Sequence, residues 1–351
     1  MTTEPPASPP RPVTLEHVAR VAGVSRATVS RVINGESTVD PRLRRLVEEA
    51  IARTRYVPNR AARSLVTRRT DSVALVVSER EQREVTGPFV GRMFTDPYFG
   101  RVVTGLLEVA RPRGVQVVLM LADDEPSRGQ LLGYLQQGHV DGVVLISAHA
   151  TDPLPGLLSR TPLPAVLAGR PATPTPVTYV DADQRAGATL AAEHLVAIGR
   201  RRVGAIAGPQ DMPVAQERLA GFRAAMAERG QAEVPWTEGD FTQASGAMEM
   251  RRLLAGHPEL DGVFVASDLM ALGAVSMLRQ EGRRVPQDVA VVGFDDSVPA
   301  LNCDPPLTTI RQPVEEMAAE MARLLLRQID TGGRPLPSVV FHPELVVRQS
   351  A

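Results

Sequence analysis

The sequence predicts an α/β fold in which a small helical head precedes a body of two parallel α/β lobes. Three short amphipathic segments, each with residues that cap helices, occupy residues 13–58. Apolar, β-branched runs then alternate with helix-period segments through residues 71–351, which is the pattern of parallel sheets. That second stretch is longer than one compact sheet usually needs, so we expect two lobes.

The first two predicted helices are joined by a tight turn at Gly23. Thr14 can cap a helix over residues 15–22 by accepting a hydrogen bond from a first-turn amide, and Ser25 is the cap candidate of the next helix. The side chains expected to face the first helix are Val24, Thr28, Val29, Val32 and Ile33. Those expected to point outward are Arg26, Ala27, Ser30 and Arg31. Two short helices connected in this way form a helix-turn-helix.

A third helix is predicted to begin at Asp40-Pro41, with Asp40 as its cap and Pro41 at the first helical position. Its predicted buried stripe consists of Leu43, Leu46, Val47, Ala50 and Ile51. We therefore expect the three helices to share one small core.

Charge is divided unevenly along the chain. Residues 1–70 contain 13 Arg and 6 acidic residues, whereas residues 71–351 contain 26 Arg and 34 acidic residues. The near-neutral total of −1 thus conceals a basic head on an acidic body. A basic surface attracts the phosphates of a nucleic acid and an acidic one is repelled by them, so we expect the head to meet DNA.

Several short motifs support this assignment of the head. They are Thr14-Leu15, Val18-Ala19, Ala22-Gly23-Val24-Ser25, Thr28-Val29-Ser30-Arg31-Val32, Asn34 and Tyr56-Val57-Pro58-Asn59. With these motifs the chain resembles the lactose-repressor (LacI/GalR) family of bacterial transcription regulators, and the likeness extends over nearly its whole length. The resemblance implies a core of the type I periplasmic-binding-protein fold, whose two lobes are linked by crossing strands and hold a ligand in the cleft between them.

The resemblance and the composition together give an expected division of the chain. The parts are a disordered tail (1–12), a helix-turn-helix domain (13–58), a hinge helix (59–70) and an effector-binding and dimerisation core (71–351). Within the core, we expect an N-terminal lobe of about residues 71–176 and 314–333 and a C-terminal lobe of about residues 177–313 and 334–351.

The second helix of the head carries the candidate base-reading residues. Arg26 and Arg31 each offer a planar fork of donors that matches guanine O6 and N7, although contact with phosphates alone is the competing interpretation. Ala27 can touch only a thymine methyl group. The complete set of expected DNA contacts is Thr14, Ser25, Arg26, Ala27, Thr28, Ser30, Arg31, Asn34, Tyr56, Asn59, Arg63 and Leu65.

The segment 59–70 is short, basic and poor in apolar residues, apart from Leu65 and one valine. The resemblance implies a hinge helix that folds on the operator, where Leu65 and its dimer mate open a central C-G base step in the minor groove. A flexible linker with one stray leucine is the alternative.

Ligand groups in parallel α/β sheets lie on loops at the carboxyl ends of strands. The sequence predicts that strands end at Ser78, Ser147, Gly169-Arg170, 181–183, 209–214, Ser267-Asp268 and Asp295-Asp296. From these ends and the resemblance, the expected effector-binding residues are Ser78, Ser147, Arg218, Phe241, Ser267, Asp268, Asp295 and Gln312. Carboxylate, guanidinium and aromatic groups suit a sugar or sugar derivative. Taken singly, Phe241 would more often be a core residue, Arg218 a helix-surface ion pair, and Asp268 or Asp296 a cap. Only their joint placement favours a ligand site.

The expected protein is a homodimeric transcriptional regulator that represses genes of carbohydrate uptake or catabolism. Its partners would be a pseudo-palindromic double-stranded operator and a small-molecule effector, since one head contacts only half a site. The competing classes are a periplasmic-type sugar receptor, which needs an export signal, and a sugar-phosphorylating enzyme, which needs a phosphate-binding loop. The sequence shows neither feature.

The remaining expectations concern absences. We expect no catalytic residues, no cofactor and no metal site, because the six His are scattered and Cys303 is the single cysteine. One cysteine and no apolar membrane-length run also fit a cytoplasmic protein with no membrane partner.

Overall fold

The computed structural model describes residues 13–36, 38–57, 69–78, 95–147 and 149–351. The chain divides into two compact units, Met1–Thr70 and Asp71–Ala351, which we call the head and the core. The expected tail, residues 1–12, and nearly all of the expected hinge helix, residues 59–70, lie outside the described residues.

The head contains the predicted helix-turn-helix. Its helices are α1 (Leu15–Ala22), α2 (Arg26–Ile33) and α3 (Pro41–Thr54). Thr14 caps α1 by accepting a hydrogen bond from the His17 amide, and Ser25 caps α2 by accepting one from the Thr28 amide. Gly23 ends α1 with a φ of 67°, a left-handed conformation that costs glycine little.

The third helix departs from its predicted buried stripe. Asp40 caps α3 as expected, and Val47 and Ala50 pack into the head core. Leu43 and Leu46, however, are 37% and 40% exposed. A head of three short helices has little interior, so α3 buries a narrower stripe than the hydrophobic periodicity suggested.

The first lobe of the core is built on a parallel sheet. Its strands in the described part of the chain are β1 (Ser72–Ser78), β2 (Gln116–Ala122), β3 (Gly142–Ser147), β4 (Ala165–Ala168), β5 (Thr178–Ala182) and β11 (Val339–Phe341). Their order is β11-β5-β4-β3-β1-β2. Burial is nearly continuous along β1 and β3 because helices cover both faces of the sheet.

The second lobe repeats this plan. Its strands are β6 (Val203–Ala207), β7 (Trp236–Glu238), β8 (Gly262–Val265), β9 (Ala290–Asp295), β10 (Thr308–Arg311) and β12 (Glu344–Val346). Their order is β12-β10-β9-β8-β6-β7, and β12 runs antiparallel to β10.

The helices of the core alternate with the strands, as predicted. They are α4 (Pro97–Ala110), α5 (Glu125–Gln136), α6 (Leu154–Leu158), α7 (Gln184–Ala197), α8 (Pro213–Glu228), α9 (Gln243–Gly256), α10 (Asp268–Gln280), α11 (Val298–Asn302) and α12 (Val314–Asp330). The two parallel lobes and the helical head confirm the predicted fold class.

The crossings between the lobes differ from the expected boundaries near residues 176 and 333. The strand β5 pairs with β4, and β11 pairs with β5, so both strands belong to the first sheet. The chain therefore crosses between β5 and α7, between β10 and α12, and between β11 and β12. Backbone pairing decides these positions, and hydrophobicity alone did not reveal it.

In the described part of the chain, no helix combines the length and the apolar character needed to cross a membrane.

Candidate ligand cleft and nucleic-acid interface

The exposed side of α2 presents the candidate base-reading residues. Arg26, Ala27 and Arg31 are all exposed there. The Arg31 Nε lies 3.4 Å from the Ala27 carbonyl oxygen, and the Arg26 Nε lies 3.2 Å from a carboxylate oxygen of Glu16 on α1. Both contacts are at the solvent-facing surface, where an ion pair such as Arg26–Glu16 stabilises the fold little.

The other predicted DNA contacts of the head are helix-capping residues, half-buried residues, or residues outside the described part of the chain. Ser25 and Thr28 form the cap of α2, with their hydroxyl oxygens 2.9 Å apart, and Thr14 caps α1. Tyr56 is half-buried and packs against the head core. Ser30 and Asn34 are also half-buried, with Asn34 Nδ2 3.5 Å from Ser30 Oγ. Asn59, Arg63 and Leu65 lie outside the described residues.

A cleft of about 160 Å³ lies between the two lobes of the core. Six of the eight predicted effector-binding residues line it, and these are Ser147, Arg218, Phe241, Ser267, Asp295 and Gln312. They come from both sheets and from the crossing that follows β10. The carboxyl ends of strands in both lobes thus face one space.

Arg218 on α8 is the central cation of the cleft. Only 5% of it is exposed, and its guanidinium lies 3.7 Å from the centroid of the Phe294 ring. Its Nε donates to the Gln184 side-chain oxygen at 2.9 Å, and its Nη1 donates to the Ala266 carbonyl oxygen at 2.6 Å. The same Nη1 lies 3.4 Å from Asp295 Oδ1. These partners fix the guanidinium in one orientation.

Asp295 ends β9 and faces Arg218. Its Oδ1 also accepts a hydrogen bond from Gln312 Nε2 at 2.7 Å. Burial raises the pKa of Asp295 to about 6, although the positive charge of Arg218 opposes that rise. The φ of Asp295 is 112°, a backbone conformation that an L-residue rarely adopts. Such strain is often found where a side chain must be aimed at a site.

Asp268 does not line the cleft, in contrast to its predicted role. It is fully buried at the start of α10, where Oδ2 accepts hydrogen bonds from the amide and hydroxyl of Ser297, and Oδ1 accepts one from Thr309 at 2.5 Å. Burial and the neighbouring Asp295 charge raise the pKa of Asp268 to about 8. A carboxylate at the end of a strand can therefore accept hydrogen bonds from neighbouring loops and strands instead of binding a ligand.

Ser78 is the second predicted residue outside the cleft lining. It ends β1 and is buried, and the residues directly after it lie outside the described part of the chain.

Phe241, which lines the cleft, is held in place by a close approach to Gly208. A Cβ at position 208 would lie 2.2 Å from the Phe241 ring, so only glycine leaves room for it.

The first-lobe wall of the cleft contains residues that sequence reasoning missed. Asp96 caps α4 by accepting a hydrogen bond from the Tyr98 amide at 2.9 Å, and burial raises the pKa of Asp96. Tyr98 and Phe99 line the same wall, with their ring centroids 5.5 Å apart. The Asp96-Pro97 pair carries the same capping signal that identified the start of α3. It could have placed Asp96 at a helix end facing the cleft.

Asp181 and Gln184 extend the polar network along the first crossing. The strand-end pattern included Asp181, but it was not chosen as a ligand residue, and Gln184 carried no signal. Gln184 joins Arg218 to the Asp181 carboxylate, with Gln184 Nε2 3.3 Å from Asp181 Oδ1. Hydrogen bonds therefore run from the first lobe to the centre of the second.

Arg101 on α4 also joins the lobes. Its guanidinium forms two hydrogen bonds of 2.7 Å with the Glu315 carboxylate on α12. It then donates to the carbonyl oxygens of Asp295 at 2.9 Å and Gln312 at 3.2 Å. Gly105 permits the close approach of α4 to α12, since a Cβ there would lie 2.1 Å from the Glu315 carbonyl oxygen.

Two protein families match this chain. Residues 14–59 match the family described as bacterial regulatory proteins, lacI family, and residues 192–351 match a periplasmic binding protein-like domain. The first match covers the helix-turn-helix, and the second covers most of the second lobe together with α12 and the final strands.

Similar proteins span almost the whole chain. The transcriptional regulator CelR of Thermobifida fusca is 48% identical over 342 residues, which are 96% of this chain and 98% of CelR. A solved complex of the transcriptional regulator CelR with cellobiose has a TM-score of 0.74 and 44% identity, and it covers 97% of this chain and 100% of that one. A lac repressor dimer bound to operator and the anti-inducer ONPF has a TM-score of 0.81 and 29% identity, and it covers 97% and 99%.

Proposed function

This chain belongs to the LacI family of bacterial regulatory proteins, and from that membership we propose that it represses genes of carbohydrate uptake or breakdown. In this proposal the head binds operator DNA, and a carbohydrate in the cleft of the core controls operator affinity. The observation that carries the proposal is the pair of the buried Arg218 and the partly buried Asp295, placed in a cleft between two lobes of a chain that also has a helix-turn-helix.

The charges of the cleft favour an uncharged, hydroxyl-rich ligand. Among the described residues that line it, the charged side chains are Asp96, Asp181, Asp295, Arg101, Arg170 and Arg218. Three negative and three positive groups cancel, so a strongly charged ligand gains little. Carboxylates accept from hydroxyl groups, guanidinium groups donate to them, and aromatic rings pack against the C–H faces of sugars. The complex of the related CelR with cellobiose supports this class of ligand.

A purine effector is less well supported. Met212 and Val214, which line the cleft, offer no strong hydrogen-bonding group to a nucleobase edge. The aromatic residues Tyr98, Phe99 and Phe241 would accommodate a flat ring as well as a sugar ring.

We propose that α2 enters the major groove and that Arg26 and Arg31 read base edges there. Their exposure on one side of the helix, together with the net charge of the head, supports this role. Ser25, Thr28, Ser30 and Asn34 would fix the position of α2 through phosphate contacts. Thr14, Tyr56, Asn59 and Arg63 complete the proposed DNA contacts, and Leu65 is the proposed minor-groove wedge.

The proposed active form is a homodimer on a pseudo-palindromic operator. One head spans only half a site, and the similar lac repressor structure is described as a dimer bound to operator. Val298 and Leu301 are large apolar side chains that lie exposed on α11 of this chain. They are candidates for burial between two copies of the core.

Effector control follows from a difference in effector affinity between DNA-free and DNA-bound states. A ligand that bridges the lobes favours the closed cleft, and the resulting lobe rotation changes the spacing of the two hinge segments. An inducer binds the DNA-free state more tightly, and a corepressor binds the DNA-bound state more tightly. An inducer therefore lowers operator affinity and a corepressor raises it, and either change can be measured.

The proposal also includes two narrower statements. CelR of Thermobifida fusca, which is similar over almost the whole chain, is a transcriptional regulator, and on that basis we propose that the cleft binds its ligand without converting it. Because its partner would be chromosomal DNA, we place the protein in the cytoplasm.

Selection of bound sequences from a random duplex pool tests the proposed DNA-binding function. The full-length chain is used, with and without 10 mM cellobiose or glucose as an experimental condition. We expect enrichment of a pseudo-palindrome with a central C-G step in at least one condition. Enrichment of no sequence in any condition would contradict the proposal, and a single non-repeated half-site would contradict the dimer.

A further inference from the structure

We infer that Arg101 is a positioning residue for effector binding: from the first lobe, its guanidinium aims the Asp295 carboxylate of the second lobe at the ligand. Arg101 lies on α4, and Asp295 ends β9. The inference rests on the proposed function and deepens it, because it names a first-lobe side chain on which the ligand-binding carboxylate of the second lobe depends.

One guanidinium holds the backbone of both partners in the Gln312–Asp295 hydrogen bond. Arg101 Nη1 donates to the carbonyl oxygen of Asp295 at 2.9 Å, and Nη2 donates to that of Gln312 at 3.2 Å. The side chains of these two residues meet in the cleft, where Gln312 Nε2 donates to Asp295 Oδ1 at 2.7 Å. Donor and acceptor are thus tied to the same first-lobe side chain, as a well-ordered binding site requires.

The backbone at Asp295 needs this support. The φ of Asp295 is 112° and that of Asp296 is 52°, so two consecutive L-residues adopt conformations that favour glycine. The peptide between them carries the carbonyl oxygen that Arg101 binds. The second lobe holds the Asp296 carboxylate, which accepts hydrogen bonds from Arg311 at 2.7 Å and Arg348 at 2.5 Å. Arg101 provides the matching support from the first lobe.

The oxygen that this arrangement leaves for a ligand is Asp295 Oδ2. Gln312 and Arg218 both contact Oδ1, whereas Oδ2 accepts no hydrogen bond from the described residues. The side chain is 20% exposed, so a hydroxyl group in the cleft can reach it. Rotation of the Asp295 peptide would displace this oxygen, and the bond from Arg101 opposes that rotation.

Arg101 has little capacity left to bind a ligand itself. Its Nε and Nη2 each donate to the Glu315 carboxylate at 2.7 Å. Together with the two carbonyl bonds, these contacts use four of its five N–H donors. The two-point contact with Glu315 also fixes the plane of the guanidinium. Arg101 borders the cleft, but its geometry is that of a group that acts through Asp295.

The packing of α4 against α12 does not require these polar contacts. Val102 and Leu106 of α4 share one buried apolar cluster with Met317 and Met321 of α12. Burial of apolar surface is the larger stabilising contribution, so the two helices should stay together without the guanidinium. A purely structural role therefore does not account for the contacts of Arg101 with the two carbonyl oxygens.

A double-mutant cycle with cellobiose as the probe tests the inference. Calorimetric titration compares the full-length chain with Arg101→Gln, Asp295→Asn and the double variant. We expect each single variant to lose at least about tenfold in affinity, and the double variant to stay within about twofold of Asp295→Asn, because Arg101 acts through Asp295. Losses that multiply in the double variant would show that Arg101 binds the sugar directly. That result, or unchanged affinity in Arg101→Gln, would overturn the inference.

Two further variants separate positioning from folding. Glu315 is not among the residues that line the cleft, so Glu315→Ala can act only by releasing the guanidinium, and we expect a loss of about three- to fivefold. Arg101→Lys keeps a cation that can donate to the carbonyl oxygens but lacks the fork. We expect this variant to recover cellobiose affinity to within about threefold of the unmodified chain. Full affinity in Glu315→Ala, or no recovery in Arg101→Lys, would contradict the inference.

The matched control is Arg113→Gln. Arg113 follows α4, its Nη2 lies 2.8 Å from Asp330 Oδ2 at the other end of α12, and it does not line the cleft. We expect this variant to bind cellobiose as the unmodified chain does, and a loss equal to that of Arg101→Gln would overturn the inference.

Binding to the unmodified chain separately tests the proposed carbohydrate effector. Cellobiose binding by that chain supports the proposed function whatever the variants show. If the unmodified chain binds none of cellobiose, glucose and maltose, the proposed carbohydrate effector is wrong and the inference falls with it.

Discussion

His149 Nδ1 lies 2.9 Å from Asp211 Oδ2 and so joins the loop after β3 in the first lobe to the loop after β6 in the second. The Ala150 amide donates to the Asp211 carbonyl oxygen at 3.1 Å in the same place. Arg101 joins the lobes a second time through the carbonyl oxygens of Asp295 and Gln312. Direct contacts between the lobes thus supplement any contacts that a ligand makes with both.

The first prediction concerns the His149–Asp211 contact. Asp211→Ala removes the side-chain contact and makes the closed cleft less populated, so cellobiose affinity should fall by roughly three- to tenfold. Calorimetric titration measures that affinity. Asp330→Ala is the control, since Asp330 pairs with Arg113 at 2.8 Å within the first lobe. Equal affinities in the Asp211 variant and the control would contradict a role for the contact in closure.

The second prediction concerns Asp295. Asp295→Asn keeps the shape of the side chain but removes the charge that faces Arg218, so carbohydrate affinity should fall at least about tenfold. Operator affinity without ligand should remain within about twofold, because DNA contacts lie in the head. Fluorescence anisotropy and calorimetry separate the two quantities. A variant that retains the full response of operator binding to ligand would contradict the assigned role.

The third prediction is a pH dependence of ligand binding. Burial raises the pKa of Asp295 to about 6, so the empty cleft takes up a proton as the pH falls through that value. Ligand hydroxyl groups donate to the ionised carboxylate, and binding must therefore release that proton. Affinity should be constant from pH 8 to about 6.5 and should weaken below 6, approaching about tenfold per pH unit.

The contribution of Asp295 to the free energy of unfolding changes with pH in the opposite direction to that of a carboxylate whose pKa is lowered by a salt bridge. Because the folded pKa of Asp295 exceeds its ordinary value of 3.8, its contribution to the free energy of unfolding is greatest at low pH and is lost as the pH rises through about 6. Asp295→Asn should remove both pH effects. Ligand affinity that strengthens below pH 6 would show that a protonated Asp295 binds the ligand.

The fourth prediction concerns Arg31. Arg31→Ala removes a proposed bidentate contact with guanine, which is worth about 1–3 kcal/mol of discrimination. Affinity for the selected operator should therefore fall more than affinity for a random duplex. Arg45→Ala, at an exposed position of α3, is the charge-matched control and should weaken both duplexes to the same extent. Equal losses in the Arg31 variant would reduce its role to phosphate contact.

The fifth prediction concerns the proposed wedge at Leu65. Leu65→Ala should weaken operator binding at least about tenfold and affect random-duplex binding much less, since only the operator is bent. Val66→Ala is the neighbouring control and should have a smaller effect. Equal loss on operator and random duplex in anisotropy titrations would leave Leu65 without a wedge role.

Much of the fold could be predicted because its signals are local. Capping at Thr14, Ser25 and Asp40 and continuous burial along strands such as β6 determine elements from neighbouring residues alone. The lobe crossings could not be placed in this way. Assignment of β5 and β11 to the first lobe depends on backbone pairing between residues about 160 positions apart, such as Val180 and Val339.

Part of the cleft could be predicted because the end of a strand is also a local signal in the sequence. Strand ends revealed Asp295 and Ser267, because parallel strands place their carboxyl ends at one edge of the sheet. The same rule selected Asp268, whose side chain turns away from the cleft to accept hydrogen bonds from Ser297 and Thr309. Strand position gives the location of a residue but not the direction of its side chain.

The central claim is that a carbohydrate in the cleft controls operator binding, and an anisotropy titration of the selected operator with and without saturating cellobiose tests it most directly. Our account predicts that cellobiose changes operator affinity at least about fivefold, in either direction, and that Asp295→Asn abolishes the change. Identical operator affinity with and without cellobiose, in a protein that calorimetry shows to bind the sugar, would contradict it.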